Sequence, residues 1–203
     1  MKKLEKRAFL CLLMAAVLLA GLVFFVVRLE LNGAKWSAFY ANRHVYTNGA
    51  LRVGSVSDRN GKLVLQNDKD GAHYSDDSSI RRATYHVVGD LGSNVATAAN
   101  TAFRSKLIGY DPILGTTGIF RNTGKDLVLT IDADINVAAQ QALAGRNGTI
   151  CVYNWRTGEI LAMVSGPSAD PAVKADGDGV SVPSGTYLNK ALSATYTPGS
   201  IFK

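Results

Sequence analysis

The sequence predicts a membrane-anchored protein whose exported part has an α+β fold. Two observations predict it: a charge-free apolar run close to the N-terminus, and strand and helix patterns that alternate over the rest of the chain. Of the 203 residues, 47% are hydrophobic, which allows a packed core and argues against global disorder. We expect a cytoplasmic tail at 1–7, an anchor at 8–27, an extracytoplasmic N-terminal module at 28–125 and a further domain from 126 to 203.

The anchor is the clearest feature of the sequence. Residues 8–27 carry no charge over twenty positions, and a helix of that length, at about 1.5 Å per residue, spans the roughly 30 Å hydrocarbon layer. A cleaved secretory signal would have a shorter run and a small-x-small cleavage site, which residues 26–30 do not provide. A buried helix of a soluble protein is the third alternative. Basic residues before the run predict a cytoplasmic N-terminus and an extracytoplasmic remainder.

The net charge of +6 does not indicate a nucleic-acid partner, because half of it lies in the first seven residues. The other charges are dispersed, without a basic stripe that contains aromatic residues. The two cysteines, Cys11 in the apolar run and Cys151 in the exported part, are kept apart by the predicted topology. We expect no intrachain disulfide, with Cys11 as an apolar filler and Cys151 as a buried strand residue.

The N-terminal module starts with a hairpin pattern. Residues 51–66 alternate around an Asp-Arg-Asn-Gly turn at 58–61, and Asn-Gly favours a hairpin because both residues tolerate positive φ. Residues 67–80 are polar and turn-like, and 81–89 is predicted as a short strand. Residues 94–107 then show the apolar spacing of one helix.

His86, within the predicted strand, invites a catalytic or metal-binding role. Asp90 is the carboxylate close to it in sequence, and neither a cysteine nor a second histidine stands near. One His–Asp pair does not make a metal site. We therefore expect a structural or surface histidine.

Strand and helix patterns alternate again after residue 124. Residues 125–130 predict a strand, and Asp132 is placed to cap a helix whose apolar residues recur every four positions. These residues are Ile135, Ala139 and Leu143. Two apolar runs, 149–153 and 159–165, flank a five-residue connection and predict an antiparallel hairpin dense enough to be central in a sheet. Residues 166–187 predict a loop that is functional or mobile.

Residues 200–203 form the only Ser-x-x-Lys pattern in the chain. About one such match is expected by chance in a chain of this length, so the pattern alone is weak. Pro198-Gly199 would let Ser200 open a helix, which places Ser200 and Lys203 on one face. A serine nucleophile needs a base within hydrogen-bond reach, and a desolvated lysine can serve as that base. The alternative is a capped helix start with an exposed lysine.

The motifs taken in order resemble the class B penicillin-binding proteins. Residues 126–143 look like the linker strand and helix of that family, and 148–171 look like the first two strands of its transpeptidase sheet. Residues 187–203 look like the segment that ends in the nucleophile. Upstream, the anchor, the hairpin at 55–61, the TYHVVGD segment at 84–90 and Asp111-Pro112 are similar to the N-terminal module of the subgroup often called penicillin-binding protein A.

The resemblance implies a small dimerisation-type module followed by the start of a penicillin-binding, β-lactamase-like transpeptidase domain. It implies peptidoglycan D,D-transpeptidation with Ser200 as nucleophile, Lys203 as general base, and neither a metal nor an organic cofactor. The implied partners are peptidoglycan stem peptides, β-lactams bound covalently at Ser200, and the lipid bilayer. Further candidates are a polytopic glycosyltransferase or a second copy of the chain.

The sequence departs from the family most clearly at its end. The family also uses an S-x-N and a K-T-G motif far downstream, and neither follows Ser200 here. We therefore expect the chain as given to be an inactive fragment of its parent enzyme. Two alternatives remain, a non-catalytic membrane-anchored interaction module of cell-wall synthesis and a relative of the β-lactamases or β-lactam sensors. The long N-terminal module and the single anchor argue against the second.

Overall fold

The computed structural model of the protein describes residues 2–37, 39, 53–68, 71–90, 92–108, 124–173 and 182–195. Helices and strands are both present, so the predicted α+β class is confirmed. The helices are α1 Lys2–Ser37, α2 Ser78–Val88, α3 Ala99–Ala102, α4 Arg104–Leu107, α5 Ala133–Leu143 and α6 Lys190–Ser193. The strands are β1 Val56–Ser57, β2 Leu63–Asp68, β3 Gly71–Tyr74, β4 Leu127–Val128, β5 Gly148–Tyr153 and β6 Ile160–Gly166.

Helix α1 contains the predicted anchor and extends beyond both of its ends. It is 36 residues long, about 54 Å at 1.5 Å per residue. Within it, Lys3–Gly33 is the segment of the described chain that is long and apolar enough to cross a membrane. Its apolar side chains, for example Leu12 and Phe24, are exposed rather than packed on the rest of the protein. That exposure is what a helix surrounded by lipid requires.

The N-terminal module contains a four-stranded sheet in the order β3-β2-β1-β4. Strands β1 and β2 pair antiparallel across the Asp-Arg-Asn-Gly turn, where Gly61 has a φ of +81°, so the predicted hairpin is confirmed. Strand β3 pairs antiparallel with β2, and β4 runs parallel to β1. The prediction of turn structure over 67–80 was wrong at 67–68, 71–74 and 78–80, which lie in β2, β3 and α2, because polar residues are also compatible with a strand at the edge of a sheet.

The strand predicted over 81–89 was also wrong, because this segment lies in helix α2. Asp77 caps the helix by accepting a hydrogen bond from the Ser79 N–H at 2.8 Å, a usual role for Asp ahead of a first turn. Ile80, Thr84 and Val88 are buried at helical spacing. The β-branched and aromatic residues favour a strand locally, but burial of this face against β2, α5 and β6 overrides that preference.

The single helix predicted over 94–107 is replaced by the two four-residue helices α3 and α4. The Asp90 carboxylate accepts hydrogen bonds from the Asn94 N–H at 2.9 Å and from Asn94 Nδ2 at 2.7 Å. Asn100 Nδ2 donates to the Asp90 carbonyl at 2.9 Å. These bonds hold the start of the segment as a turn against the end of α2. Phe103 lies between the two short helices and is exposed.

Helix α5 begins as predicted at Asp132. The Asp132 carboxylate accepts hydrogen bonds from the N–H groups of Asp134 and Ile135 at 3.0 and 3.1 Å, which satisfies two of the donors that a helix N-terminus leaves free. The helix ends at Ala144, whose φ of 47° is left-handed. Gly145 follows with a φ of +76°, and a left-handed residue is a common end of a helix.

The buried face of α5 differs from the predicted stripe at one position. Ala139 and Leu143 are buried as predicted, but Ile135 is 38% exposed. Asn136 lies on the buried face, where its side-chain amide forms hydrogen bonds with the backbone of β6. Its Oδ1 accepts a hydrogen bond from the Met163 N–H at 3.2 Å, and its Nδ2 donates to a second β6 carbonyl. A buried amide with these partners is well satisfied.

Strands β5 and β6 form the predicted antiparallel hairpin, with Gly148 opposite Gly166 and Tyr153 opposite Ile160. Strand β6 is buried over its last five residues, since α5 packs on it together with α2 and α6. Strand β5 is exposed over its second half. Cys151 lies there and is exposed, so its predicted burial was wrong, because α5 and α6 contact β5 but leave its second half uncovered. Both cysteines are free, as expected.

Asp58 joins the N-terminal sheet to α5 and is only 1% exposed. Its Oδ1 accepts hydrogen bonds from the N–H groups of Asn60 at 2.9 Å and Lys62 at 2.8 Å. Its Oδ2 accepts a hydrogen bond at 3.1 Å from the N–H of Ala133, the first residue of α5. Beside it, Asn60 Nδ2 donates to Asp132 Oδ2 at 2.9 Å. One carboxylate therefore fixes both the hairpin turn and the first turn of α5.

Replacing Asp58 with Asn is expected to lower the free energy of unfolding by about 2–4 kcal/mol. An amide nitrogen in place of one carboxylate oxygen cannot accept a backbone hydrogen bond, so a buried N–H loses its partner. Denaturant unfolding of the chain in detergent, followed by circular dichroism, measures the loss. The matched control is Asp134→Asn, which removes an exposed ion pair with Lys62 and should change the free energy of unfolding little, because exposed ion pairs contribute little to stability. Equal losses in the two variants would contradict the role given to Asp58.

Candidate active site

The chain that leads to the predicted nucleophile is described from residue 182 to residue 195. Ser200 and Lys203 lie outside the described residues, so their roles stay predictions. The structure shows how residues 185–190, just ahead of them, are held in place. Polar groups from the end of β6 and from α2 bind this segment on two sides.

Lys190 binds the segment to the end of β6. It begins α6 and is only 7% exposed. Its Nζ donates hydrogen bonds to the carbonyl of Gly166 and, at 3.3 Å, to the carbonyl of Gly185. Its backbone N–H donates to Ser165 Oγ at 3.1 Å. Burial lowers the pKa of Lys190, because removal from water disfavours the charged ammonium.

Helix α2 holds the same segment through His86, which is fully buried. His86 Nε2 lies 2.8 Å from the carbonyl oxygen of Thr186. A carbonyl only accepts hydrogen bonds, so Nε2 carries the proton in the neutral ring and Nδ1 does not. Asn189 Nδ2 in turn donates to the His86 carbonyl at 3.2 Å. The segment is thus bonded to α2 at two points.

The prediction that His86 is structural is confirmed by these contacts. Burial lowers its pKa to about 4; the hydrogen bond to the Thr186 carbonyl opposes this shift, and the charge of Lys190 adds to it. The imidazole is therefore neutral at neutral pH. Its Nδ1 has no hydrogen-bond partner among the described residues, which fits a buried ring that does not carry a second proton.

The loop after β6 is also bonded to α2. The Arg81 guanidinium forms a two-pronged ion pair with Asp170, with Nε–Oδ1 at 2.7 Å and Nη2–Oδ2 at 2.8 Å. This hydrogen bonding holds the pKa of the Asp170 carboxyl below its usual value. Ser168 Oγ donates to the Arg82 carbonyl at 2.6 Å. The part of the predicted loop from 166 to 173 is therefore attached to α2, and 174–181 lie outside the described residues.

Sequence reasoning missed the roles of Arg81 and Lys190. Arg81 binds a carboxylate 89 positions away, and Lys190 binds a carbonyl 24 positions away. No local pattern marks either residue. The described part of the chain contains no group of three or more His, Cys, Asp or Glu side chains that could hold a metal.

Comparisons with known proteins relate the second half of the chain to wall-synthesis enzymes. Residues 148–203 match the family model described as penicillin binding protein transpeptidase domain. The chain is 40% identical over 90 residues to the peptidoglycan D,D-transpeptidase MrdA of Acinetobacter baumannii, covering 39% of this chain and 13% of that protein. It is 35% identical over 95 residues to the peptidoglycan D,D-transpeptidase PbpA of Mycolicibacterium smegmatis, covering 39% and 19%.

Among solved structures, Pseudomonas aeruginosa PBP2 in complex with WCK 5153 is similar to this chain at 30% sequence identity. The superposition has a TM-score of 0.47 and covers 61% of this chain and 29% of that one. The chain thus spans less than a fifth of the length of these two curated relatives.

The stability of the fold is expected to decrease as the pH falls from about 6.5 to about 4. In this range the unfolded chain protonates His86 at its ordinary pKa of 6.5, while the folded chain keeps the ring neutral down to about 4. The free energy of unfolding should fall by at most about 1.4 kcal/mol per pH unit. The pKa values of Asp132 and Asp170 are lowered from their ordinary value of 3.8. The stability that these ionised carboxylates contribute is therefore lost only when they become protonated, at lower pH.

Urea unfolding at pH 7 and pH 4.5 measures this effect. The difference between the two pH values should largely disappear in His86→Gln, which cannot take up a proton. His73→Gln changes an exposed histidine and is the control that should keep the difference. An unchanged pH dependence in His86→Gln would show that another group causes it.

Proposed function

We propose that the chain is the N-terminal part of a membrane-anchored serine D,D-transpeptidase that crosslinks peptidoglycan, since residues 148–203 match the family model described as penicillin binding protein transpeptidase domain. The family match carries the proposal, together with curated relatives that are themselves named peptidoglycan D,D-transpeptidases. The longer protein that would contain this chain is called the parent protein below.

In this proposal Ser200 is the nucleophile and Lys203 is the general base. Ser200 Oγ attacks the carbonyl carbon of the penultimate D-Ala of a stem peptide while Lys203 takes the hydroxyl proton. The C–N bond to the terminal D-Ala then breaks, and the proton goes to that leaving amine. An amine of a neighbouring stem peptide then attacks the carbonyl carbon of the acyl-enzyme ester. The new C–N bond is the crosslink, the C–O bond to Ser200 breaks, and the amine's proton passes through Lys203 to Ser200 Oγ. A β-lactam would acylate the same oxygen.

The oxyanion of each tetrahedral intermediate requires hydrogen-bond donors. One is the backbone N–H of Ser200, and the other is an N–H just after the K-T-G strand of the parent protein. Neither K-T-G nor S-x-N occurs after Ser200 in this sequence. The 203-residue chain therefore lacks the second oxyanion donor and two of the three catalytic motifs of the family. We therefore propose that it does not turn over by itself.

The exposure of the β5–β6 hairpin supports the proposal that the domain is incomplete. Within the described residues its sheet has only two strands, and such a pair is marginal without further strands or a covering layer. Strand β6 is covered, whereas Tyr153 of β5 and Trp155 of the adjoining turn are 64% and 77% exposed. Further strands from the parent protein would extend the sheet at β5.

The proposed arrangement places residues 28–125 in an N-terminal module and begins the transpeptidase domain at residue 126. The basic residues ahead of the anchor place the N-terminus in the cytoplasm and the remainder outside the membrane. The bilayer, peptidoglycan stem peptides and β-lactams are the proposed partners, with a polytopic glycosyltransferase or a second copy of the chain as a protein partner.

The reading frame is expected to continue past codon 203 and to encode an S-x-N motif and then a K-T-G motif. The chain spans only 13% to 19% of the relatives named above, so the extension should run for several hundred codons. Sequencing the coding DNA tests this directly. A stop codon directly after Lys203 would contradict the transpeptidase proposal for this product and favour a non-catalytic interaction module.

A fluorescent penicillin is expected to label the parent protein at Ser200 and to leave the 203-residue chain unlabelled. Ser200→Ala should abolish labelling, and Lys203→Ala should slow acylation by about 10²–10⁴-fold, the usual contribution of a general base. Ser193→Ala removes an exposed serine of α6 and is the matched control that should label normally. In-gel fluorescence and peptide mapping measure the outcome. Labelling of the 203-residue chain at Ser200 would disprove its inactivity, and full labelling of Ser200→Ala would disprove the assigned nucleophile.

A further inference from the structure

We propose that Lys190 is a positioning residue, whose ammonium joins the carbonyl groups of Gly166 and Gly185 and so fixes the start of the segment that leads to Ser200. The catalytic consequence rests on the proposed function. The structural part concerns contacts among described residues and can be tested separately.

The two carbonyl groups come from different parts of the fold. Gly166 ends β6, a strand of the hairpin, whereas Gly185 lies in the turn that precedes α6. Lys190 Nζ donates to both, and its own N–H donates to Ser165 Oγ. One side chain therefore bonds the turn to the strand, while its backbone bonds the first residue of α6 to the same strand.

The strand end that Lys190 binds is held by close packing. A Cβ atom placed on Gly166 would lie 2.3 Å from the carbonyl oxygen of Arg146, a distance that no side chain could adopt without moving backbone. Gly185 has a φ of +81°, and a Cβ there would lie 3.6 Å from Lys190 Nζ. Glycine at 166 thus permits the close approach of backbone to backbone, and glycine at 185 permits the left-handed φ of the turn, while a Cβ there would be only in ordinary contact with the ammonium.

The charge of Lys190 distinguishes it from a residue that only fills space. A methionine of similar length would occupy the same volume without the cost of desolvating an ammonium. What the ammonium adds is hydrogen bonds to two carbonyl groups that no neighbouring side chain joins in the described structure. Its lowered pKa reflects the same desolvation. His86 and Asn189 bond the segment to α2. Asn189 Nδ2 also donates to Met163 Sδ of β6 at 3.2 Å, and the Lys190 ammonium adds the bond to the end of that strand.

Position along the chain connects this attachment to the site. Ser200 follows Lys190 by ten residues, and α6 begins at Lys190 itself. If the Lys190 ammonium were lost, the turn before α6 would lose its bond to the end of β6, and the start of α6 would keep the bonds made by Asn189 and by the Lys190 backbone. A displacement of about 1 Å in a reacting group can cost about 10²-fold in rate, so the nucleophile would be sensitive to this loss.

Hydrogen–deuterium exchange on the 203-residue chain in detergent micelles tests the attachment without any activity. In Lys190→Met the amides of residues 185–195 should exchange at least about tenfold faster, while those of α5 and β5 stay unchanged. Lys190→Arg keeps a cationic donor and should restore most of the protection. Lys62→Met, which removes an exposed ion pair with Asp134, is the matched control and should leave residues 185–195 unchanged. Equal protection in wild type and Lys190→Met would overturn the proposal, as would an equal rise in α5 and β5.

Acylation of the parent protein tests the positioning of the nucleophile. In Lys190→Met the rate constant for acylation by a fluorescent penicillin should fall by about 10²-fold with an unchanged dissociation constant for the non-covalent complex, and Lys190→Arg should recover most of the rate. An unchanged acylation rate in Lys190→Met would overturn the positioning role. A wild-type parent that is never labelled would refute the proposed function instead, and the exchange experiment would still decide whether Lys190 holds the segment.

Discussion

The buried carboxylate of Asp58 is the interaction on which the arrangement of the exported part depends. It accepts hydrogen bonds from its own turn and from the first residue of α5, so the N-terminal sheet and α5 share one fixed junction. Asn136, in the first turn of α5, forms hydrogen bonds with the backbone of β6 and so fixes the strand relative to the helix. The last residue of β6 in turn accepts a hydrogen bond from Lys190, which holds the segment ahead of the predicted nucleophile.

Helix α2 provides a second route between the same parts. Its apolar face packs into the core with β1 and β2, while Tyr85 packs with Val95, Ala98 and the partly buried Tyr187. Its polar groups bond to the loop after β6 and to the turn before α6. A segment assigned from the sequence to the N-terminal module, and predicted there as a strand, is therefore a helix that contacts the segment leading to Ser200. This packing makes the predicted N-terminal module (28–125) and the domain predicted from residue 126 structurally dependent on each other.

The polar groups around this segment are each kept in one protonation state, some by burial and Asp170 by its ion pair. His86 is neutral because charging it would desolvate a cation beside Lys190, and Asp170 stays ionised because Arg81 pairs with it. Tyr85 is kept protonated by burial first, and by the nearby Asp90 carboxylate as well. Such groups hold the backbone through directed hydrogen bonds, and the family chemistry proposed for Ser200 requires a well-positioned backbone more than any further charged group.

Patterns of a few neighbouring residues predicted the apolar N-terminal helix, the Asn-Gly turn, the Asp132 cap and the β5–β6 hairpin from the sequence alone. The roles predicted for the Ser-x-x-Lys pattern concern residues outside the described part of the chain and stay predictions. The tertiary structure decided the helical state of 81–88, the division of 94–107 into two short helices, and the exposure of Cys151. It also decided that Lys190 and His86 hold the segment before the predicted nucleophile. The reason is physical, since these outcomes depend on burial and on partners 24 to 103 positions away, and no local pattern of residues records them.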